Sequence, residues 1–215
     1  MNGQNKELVE NKEIEKGLTL PIMESFYSIQ GEGFYSGKAA YFIRTAGCDV
    51  GCHFCDVKES WDKDLHPLKS IYKIVEDILS HNAKTVIITG GEPLMWNLKP
   101  LTKLLNNSGI NVNIETSGAY PITGSFDWIC VSPKKGKKAI TEILTIANEL
   151  KIIIYSKNDF KWAEKYAQKV SSKCILFLQP EWNKFERMTP LIVNYIKENP
   201  KWNISLQVHK YMKIP

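Results

Sequence analysis

Thr85-Val86-Ile87-Ile88-Thr89-Gly90-Gly91-Glu92-Pro93 runs a β-branched strand straight into a double-glycine turn. A short apolar run bounded by glycines reads as a buried strand. Leu98 to Asn106 behind it fits a helix, and Asn111 to Ile114 fits the next strand. Strand, helix and strand in succession need a crossover connection, and crossovers build parallel sheets. Working outward, the other candidate strands are Ile22 to Tyr27, Ala40 to Thr45, Trp128 to Val131, Ile152 to Tyr155, Cys174 to Leu178 and Ile204 to Val208. Leu68, Ile71, Val75, Ile78 and Leu79 recur at helical spacing after Pro67, as do Ile140, Ile143, Leu144 and Ala147 before Lys151. Asp159 to Lys169 and Lys184 to Glu198 fit further helices. The class is therefore α/β with a mainly parallel sheet. An open or incomplete (β/α) barrel is the first choice, and a flat doubly wound sheet is the alternative. Both place ligands at the carboxyl ends of the strands.

The 215 residues, 43% of them hydrophobic, suffice for one full core and fit one catalytic domain over residues 19–215. Residues 1–18 are polar and read as a mobile tail or a short edge element. No run of about 18 apolar residues occurs, and the first residues lack a signal-peptide pattern, so a soluble cytoplasmic protein with no membrane partner is expected. A net charge of +5 is modest. The run Lys134-Lys135-Gly136-Lys137-Lys138 has no interleaved aromatics, so it reads as a solvated loop or an anion contact, and no direct nucleic-acid binding is expected.

Three of the five cysteines crowd into Cys48-Asp49-Val50-Gly51-Cys52-His53-Phe54-Cys55, just after a strand end. Five is an odd number for a disulfide framework, and this spacing points to a metal centre in a reducing compartment. Three thiolates on a glycine-bearing loop can wrap an iron–sulfur cluster and leave one position open. The alternative is a zinc site closed by His53 or a remote His209. Cys130 and Cys174 fall at or within strands and read as small core residues. Gly90 and Gly91 let a ligand approach the backbone closely, and Glu92 beside them can accept from an ammonium group.

The spacing Cys-x3-Cys-x2-Cys, followed by Gly-Gly-Glu-Pro after the next long helix, resembles the radical S-adenosylmethionine (radical SAM) superfamily. Ser28-Ile29-Gln30-Gly31-Glu32-Gly33, Arg44, Glu115-Thr116-Ser117-Gly118, Ser132-Pro133-Lys134, Gln179-Pro180 and Gln207-x-His209-Lys210 with Pro215 narrow this. Their order and spacing are similar to the 7-carboxy-7-deazaguanine synthase family, from about residue 20 onward.

The resemblance implies an incomplete radical SAM barrel and a carbon–nitrogen lyase. Such an enzyme would convert 6-carboxy-5,6,7,8-tetrahydropterin to 7-carboxy-7-deazaguanine, releasing ammonia, on the route to queuosine. It implies a homodimer, an electron donor protein, and three cofactors: a 4Fe-4S cluster, S-adenosylmethionine and Mg2+. Cys48, Cys52 and Cys55 would hold three irons, and Gly90, Gly91 and Glu92 would hold the cofactor's amino group. Phe54, Cys55 and Asp56 would touch the cofactor, Ser132, Pro133 and Lys134 its ribose or carboxylate, and Gln179, Pro180, Glu181 and Trp182 its adenine. The radical chemistry belongs to the cofactor, so no protein side chain is assigned as catalytic.

For the substrate, the resemblance implies contacts from Ile29, Gln30, Gly31, Glu32, Arg44, Thr89, His209 and Pro215. An amide and a carboxylate at positions 30 and 32 suit a pterin's donor–acceptor edge, and a guanidinium suits its carboxylate. One position departs from the pattern. The family often has Thr two residues after the third cysteine as a magnesium ligand, and here that position is Val57, which has no side-chain oxygen. Two rival readings remain: another radical SAM enzyme such as a glycyl-radical activase, and a non-catalytic zinc-binding module.

Overall fold

The computed structural model describes residues 3–215. In chain order the elements are α1 (Gly3–Glu15), β1 (Thr19–Ile29), β2 (Ala39–Thr45), β3 (Leu68–Ser70), α2 (Ile71–Ser80), β4 (Thr85–Gly90), α3 (Lys99–Asn107) and β5 (Asn111–Thr116). There follow β6 (Trp128–Val131), α4 (Thr141–Ile146), β7 (Glu149–Ile154), α5 (Asn158–Ala167), β8 (Ile175–Pro180), α6 (Phe185–Glu198), β9 (Trp202–Ile204) and α7 (Val208–Met212). They form one sheet in the order β3-β1-β2-β4-β5-β6-β7-β8-β9. From β2 to β9 every neighbouring pair is parallel, whereas β1 pairs antiparallel with both β2 and β3.

Hydrogen bonds between distant strands distinguish a curled sheet from a flat one. On a flat sheet β1 and β9 would stand about 34 Å apart. Yet the Val208 N–H, beyond β9, donates to the Gly31 carbonyl, beyond β1, at 2.9 Å. The Gly33 N–H likewise donates to Ser205 Oγ at 2.9 Å. The sheet therefore curls until the segments that follow β1 and β9 meet, while its strand order stays open. This is the incomplete barrel, and the flat doubly wound alternative is excluded.

Side chains alternate between the two faces of each strand. Ile43, Ile88, Ile114, Val131, Leu150 and Ile152 face outward into the main core, with Ile74 and Ile78 of α2, Leu101 and Leu105 of α3, Ile143 of α4, Ala163 of α5 and Ile192 of α6. Arg44, Thr89, Glu115, Lys151 and Gln179 occupy alternate positions of β2, β4, β5, β7 and β8 and line the concave inner side. Helices thus seal one face with hydrocarbon, and the other face is left for chemistry.

Three elements differ from the sequence expectation. The polar N-terminal segment forms α1, whose end is held where Asn97 Nδ2 donates to the Glu15 and Lys16 carbonyls at 3.3 Å each; Met1 and Asn2 lie outside the described residues. Leu68 begins a short strand instead of a helix. β3 pairs with the start of β1, and the Ser70 side chain caps α2 by accepting from the Tyr72 N–H at 3.3 Å. The expected strand to Val208 stops at Ile204, because the chain turns there to bring α7 against the loop after β1.

Candidate active site

The cysteine loop leaves β2 and returns to it through backbone hydrogen bonds. Gly47 N–H donates to Ser60 O at 2.7 Å, Cys48 N–H to Trp61 O at 3.1 Å, and Cys55 N–H to Cys52 O at 3.1 Å. Gly51 takes φ +67°, a left-handed conformation that glycine adopts without strain. All three thiols are free and line the same cavity. Among the described residues no three His, Cys, Asp or Glu side chains converge on one ion. A four-iron cluster asks for a different arrangement, one thiolate on each of three irons, and three uncommitted cysteines on one loop fit it.

The double-glycine turn docks directly onto this loop. Gly91 N–H donates to Thr45 O and Glu92 N–H to Gly47 O, both at 2.9 Å. A Cβ on Gly91 would overlap the Gly47 carbonyl and stand 2.9 Å from the Cys48 Cβ. The Glu92 carboxylate is fully buried. It accepts from Leu94 N–H at 3.1 Å, Thr116 Oγ1 at 2.5 Å, Ser117 N–H at 2.8 Å and the Ser117 hydroxyl. Glu92 therefore ties the turn to the loop after β5.

The cavity holds about 570 Å³ at the carboxyl ends of the strands. On one side Lys151 Nζ donates to the Glu32 carboxylate and, at 2.9 Å, to Glu115 Oε2. Gln207 Nε2 donates to Glu32 Oε1 at 2.9 Å, and Gln30 Nε2 donates to Glu115 Oε1 at 2.7 Å. Burial pushes the Glu32 carboxyl up, but the Lys151 charge and hydrogen bond, with help from Gln207 and His209, overcome it and hold the group at about 2. Burial alone would depress the Lys151 ammonium, and Glu115 and Glu32 instead raise it well above the usual lysine range. Burial also keeps His209 below the ordinary histidine value, against the pull of Glu32.

Arg44 reaches the cavity from β2 and gives its Nε–H to Glu24 Oε1 at 2.6 Å, so its terminal guanidinium nitrogens remain for a ligand carboxylate. Asp56 accepts from Lys210 Nζ at 2.8 Å, and this pairing lowers its carboxyl against the effect of burial. Ser28 Oγ donates to the Pro215 carbonyl oxygen at 3.3 Å, which seats Pro215 on the cavity wall. Every side chain expected at the site lines this cavity except Glu92 and Pro133; Pro133 lies in a small adjoining recess with His53, Phe54 and Trp162.

Residues 42–152 match the family model described as the radical SAM superfamily. A 7-carboxy-7-deazaguanine synthase of Flavobacterium psychrophilum is 58% identical over 202 residues, covering 94% of this chain and 96% of that protein. One of a Synechocystis strain is 47% identical, with 92% and 94% covered. The chain belongs to the 7-carboxy-7-deazaguanine synthase family of the radical SAM superfamily. The crystal structure of QueE from Escherichia coli superposes with a TM-score of 0.80 at 31% identity, covering 93% of this chain and 99% of that one.

Within this 7-carboxy-7-deazaguanine synthase fold, Glu115, Lys151 and Gln207 line the cavity without a site role in the sequence reading. Glu115 and Gln207 were visible only as parts of motifs, and Lys151 received no role. The signal for Lys151 was a charged residue abutting Ile152-Ile153-Ile154: a lysine entering a central parallel strand is costly unless paired. Placing the start of that strand at Ile152 hid it.

Proposed function

We propose that this chain converts 6-carboxy-5,6,7,8-tetrahydropterin to 7-carboxy-7-deazaguanine, expelling one ring nitrogen as ammonia. The observation that carries this reading is the polar ring of Gln30, Glu32, Glu115, Lys151 and Gln207 in the same cavity as the three cysteines. A pterin presents an amino group and a ring N–H side by side, and carboxylate oxygens with free lone pairs accept such a pair. Arg44, in the same cavity, would meet the substrate carboxylate through its terminal nitrogens.

Cys48, Cys52 and Cys55 would hold a 4Fe-4S cluster, with S-adenosylmethionine beside Gly90 and Gly91, and together these supply the hydrogen-abstraction chemistry when bound. The protein's share is to orient the pterin and keep water out. Ser132 and Lys134, Gln179 to Trp182 from the end of β8, and Phe54 and Asp56 of the cysteine loop all line the cavity, and on this reading they would border the cofactor. A magnesium ion would be held chiefly by the substrate carboxylate and waters, because Val57, which lines the cavity, offers no side-chain oxygen.

The reading includes a homodimer in the cytoplasm that takes electrons from a donor protein. Its support is the resemblance and five free cysteines, which suit a reducing compartment. Among the described residues no helix is long and apolar enough to cross a membrane. The test is anaerobic reconstitution with iron and sulfide, then addition of the carboxytetrahydropterin, S-adenosylmethionine and dithionite. One ammonia released per pterin consumed is the expected result; S-adenosylmethionine cleavage without ammonia contradicts it.

A further inference from the structure

Lys151 is an unusual occupant of the inner face. Its side chain is 3% exposed, and one ammonium serves two carboxylates on separate elements, Glu32 after β1 and Glu115 on β5. The outer oxygen of each carboxylate is fixed by an amide, Gln207 on Glu32 and Gln30 on Glu115. Gln30 is itself clamped, since its Oε1 accepts from the Glu32 N–H at 3.0 Å. The trio of Glu32, Glu115 and Lys151 therefore carries one negative charge in excess. A purely structural ion pair needs a single carboxylate, and a second one on the wall of a cavity is an acceptor waiting for donors.

We propose that Lys151 is a positioning residue: it holds Glu32 and Glu115 in one pose, as a pair of carboxylates that accepts the N–H edge of an aminopyrimidinone ring. This rests on the pterin reading above and deepens it. Lys151 does not touch the reacting atoms. Several other charged or titratable groups face this site: Cys130 on β6, Glu149 on β7, Lys134 after β6, His209 on α7, and Asp56 near Glu32. Cys130 and Glu149 supply no positive charge, the Lys134 ammonium is engaged by the Ser132 carbonyl at 2.8 Å, and burial keeps His209 below its ordinary value; among the described residues the ammonium shared by the two carboxylates is that of Lys151.

The experiment measures pterin binding by calorimetry to the reconstituted protein with S-adenosylmethionine and no reductant, for the unsubstituted protein, Lys151→Met and Lys151→Arg. Lys151→Met should bind the pterin at least about tenfold more weakly. Its affinity should fall further from about pH 8 to about pH 5.5, because burial unopposed by an ammonium raises the carboxyls and protonates them. The unsubstituted protein should be flat across that window, and Lys151→Arg should recover the flat profile. Cluster absorption and S-adenosylmethionine affinity should not move. Equal affinity and a flat profile in Lys151→Met overturn the inference. Should that variant fail to fold, the unsubstituted protein decides: a flat profile supports the inference, and affinity lost below about pH 7 overturns it. Absence of pterin binding by the unsubstituted protein, with S-adenosylmethionine still bound, overturns the substrate reading first and this inference with it.

Discussion

Gly91 sits against Cys48 so closely that a Cβ built on it would lie 2.9 Å from the Cys48 Cβ and overlap the Gly47 carbonyl. The double-glycine turn and the loop that carries the three cysteines are thus packed as one body. Gly91→Ala should push the two apart, at a stability cost of about 1–3 kcal/mol for the overpacking. Iron bound per chain after reconstitution should fall severalfold while the circular dichroism spectrum is kept. Full iron content in the variant would show that the two motifs are not coupled.

The four donors around Glu92 make a prediction about the protein without its cofactors. Glu92→Gln keeps the shape but replaces an acceptor oxygen by an NH2 facing buried donors, which costs about 1–3 kcal/mol. The cluster-free protein should therefore melt several degrees lower, roughly 2–4 °C per kcal/mol for a chain of this size. An unchanged melting temperature, with S-adenosylmethionine binding alone weakened, would assign the side chain to the cofactor instead.

Acid stability follows from Glu32. Its carboxyl is held at about 2 in the folded protein against an ordinary value of 4.5, so the folded state binds its proton less readily than the unfolded chain. That stabilisation is fully present above about pH 4.5 and is lost as the pH falls toward about 2. Glu32→Gln should flatten the acid limb of urea-unfolding free energy over this window relative to the parent. Superimposable acid limbs would contradict the Lys151–Glu32 pairing.

Val57 supplies a probe of the magnesium question. Val and Thr are alike in shape, so Val57→Thr adds one hydroxyl with little change in packing elsewhere in the loop. Half-maximal stimulation of turnover should come at lower magnesium in the variant than in the parent. Coincident titrations would mean that position 57 does not face the ion.

Much of this architecture was legible because the signals were local. Val86-Ile87-Ile88 and Trp128 to Val131 are β-rich runs, and they are found within strands as expected. The cysteine spacing marked the cavity without any knowledge of the fold. What stayed hidden depends on contacts far apart in the chain. Val208 to Met212 became helix because Val208 hydrogen-bonds Gly31 across the curled sheet, and no neighbour in the sequence encodes that. The anchoring of Glu92 stayed hidden because its four donors come from residues 94, 116 and 117, two of which reach it only once β4 and β5 pair. The pairing of Lys151 could be recognised only when Glu32 and Glu115 came to it from elements that are not its neighbours in the sheet.

The central claim is tested most directly by anaerobic turnover of the reconstituted protein, with excess 6-carboxy-5,6,7,8-tetrahydropterin, limiting S-adenosylmethionine and dithionite, and the product identified by mass spectrometry. A product lighter than the pterin by one ammonia and co-migrating with 7-carboxy-7-deazaguanine, formed in more than one equivalent per S-adenosylmethionine, is the outcome this account predicts. Pterin returned unchanged from a protein with full cluster absorption and bound S-adenosylmethionine would contradict it.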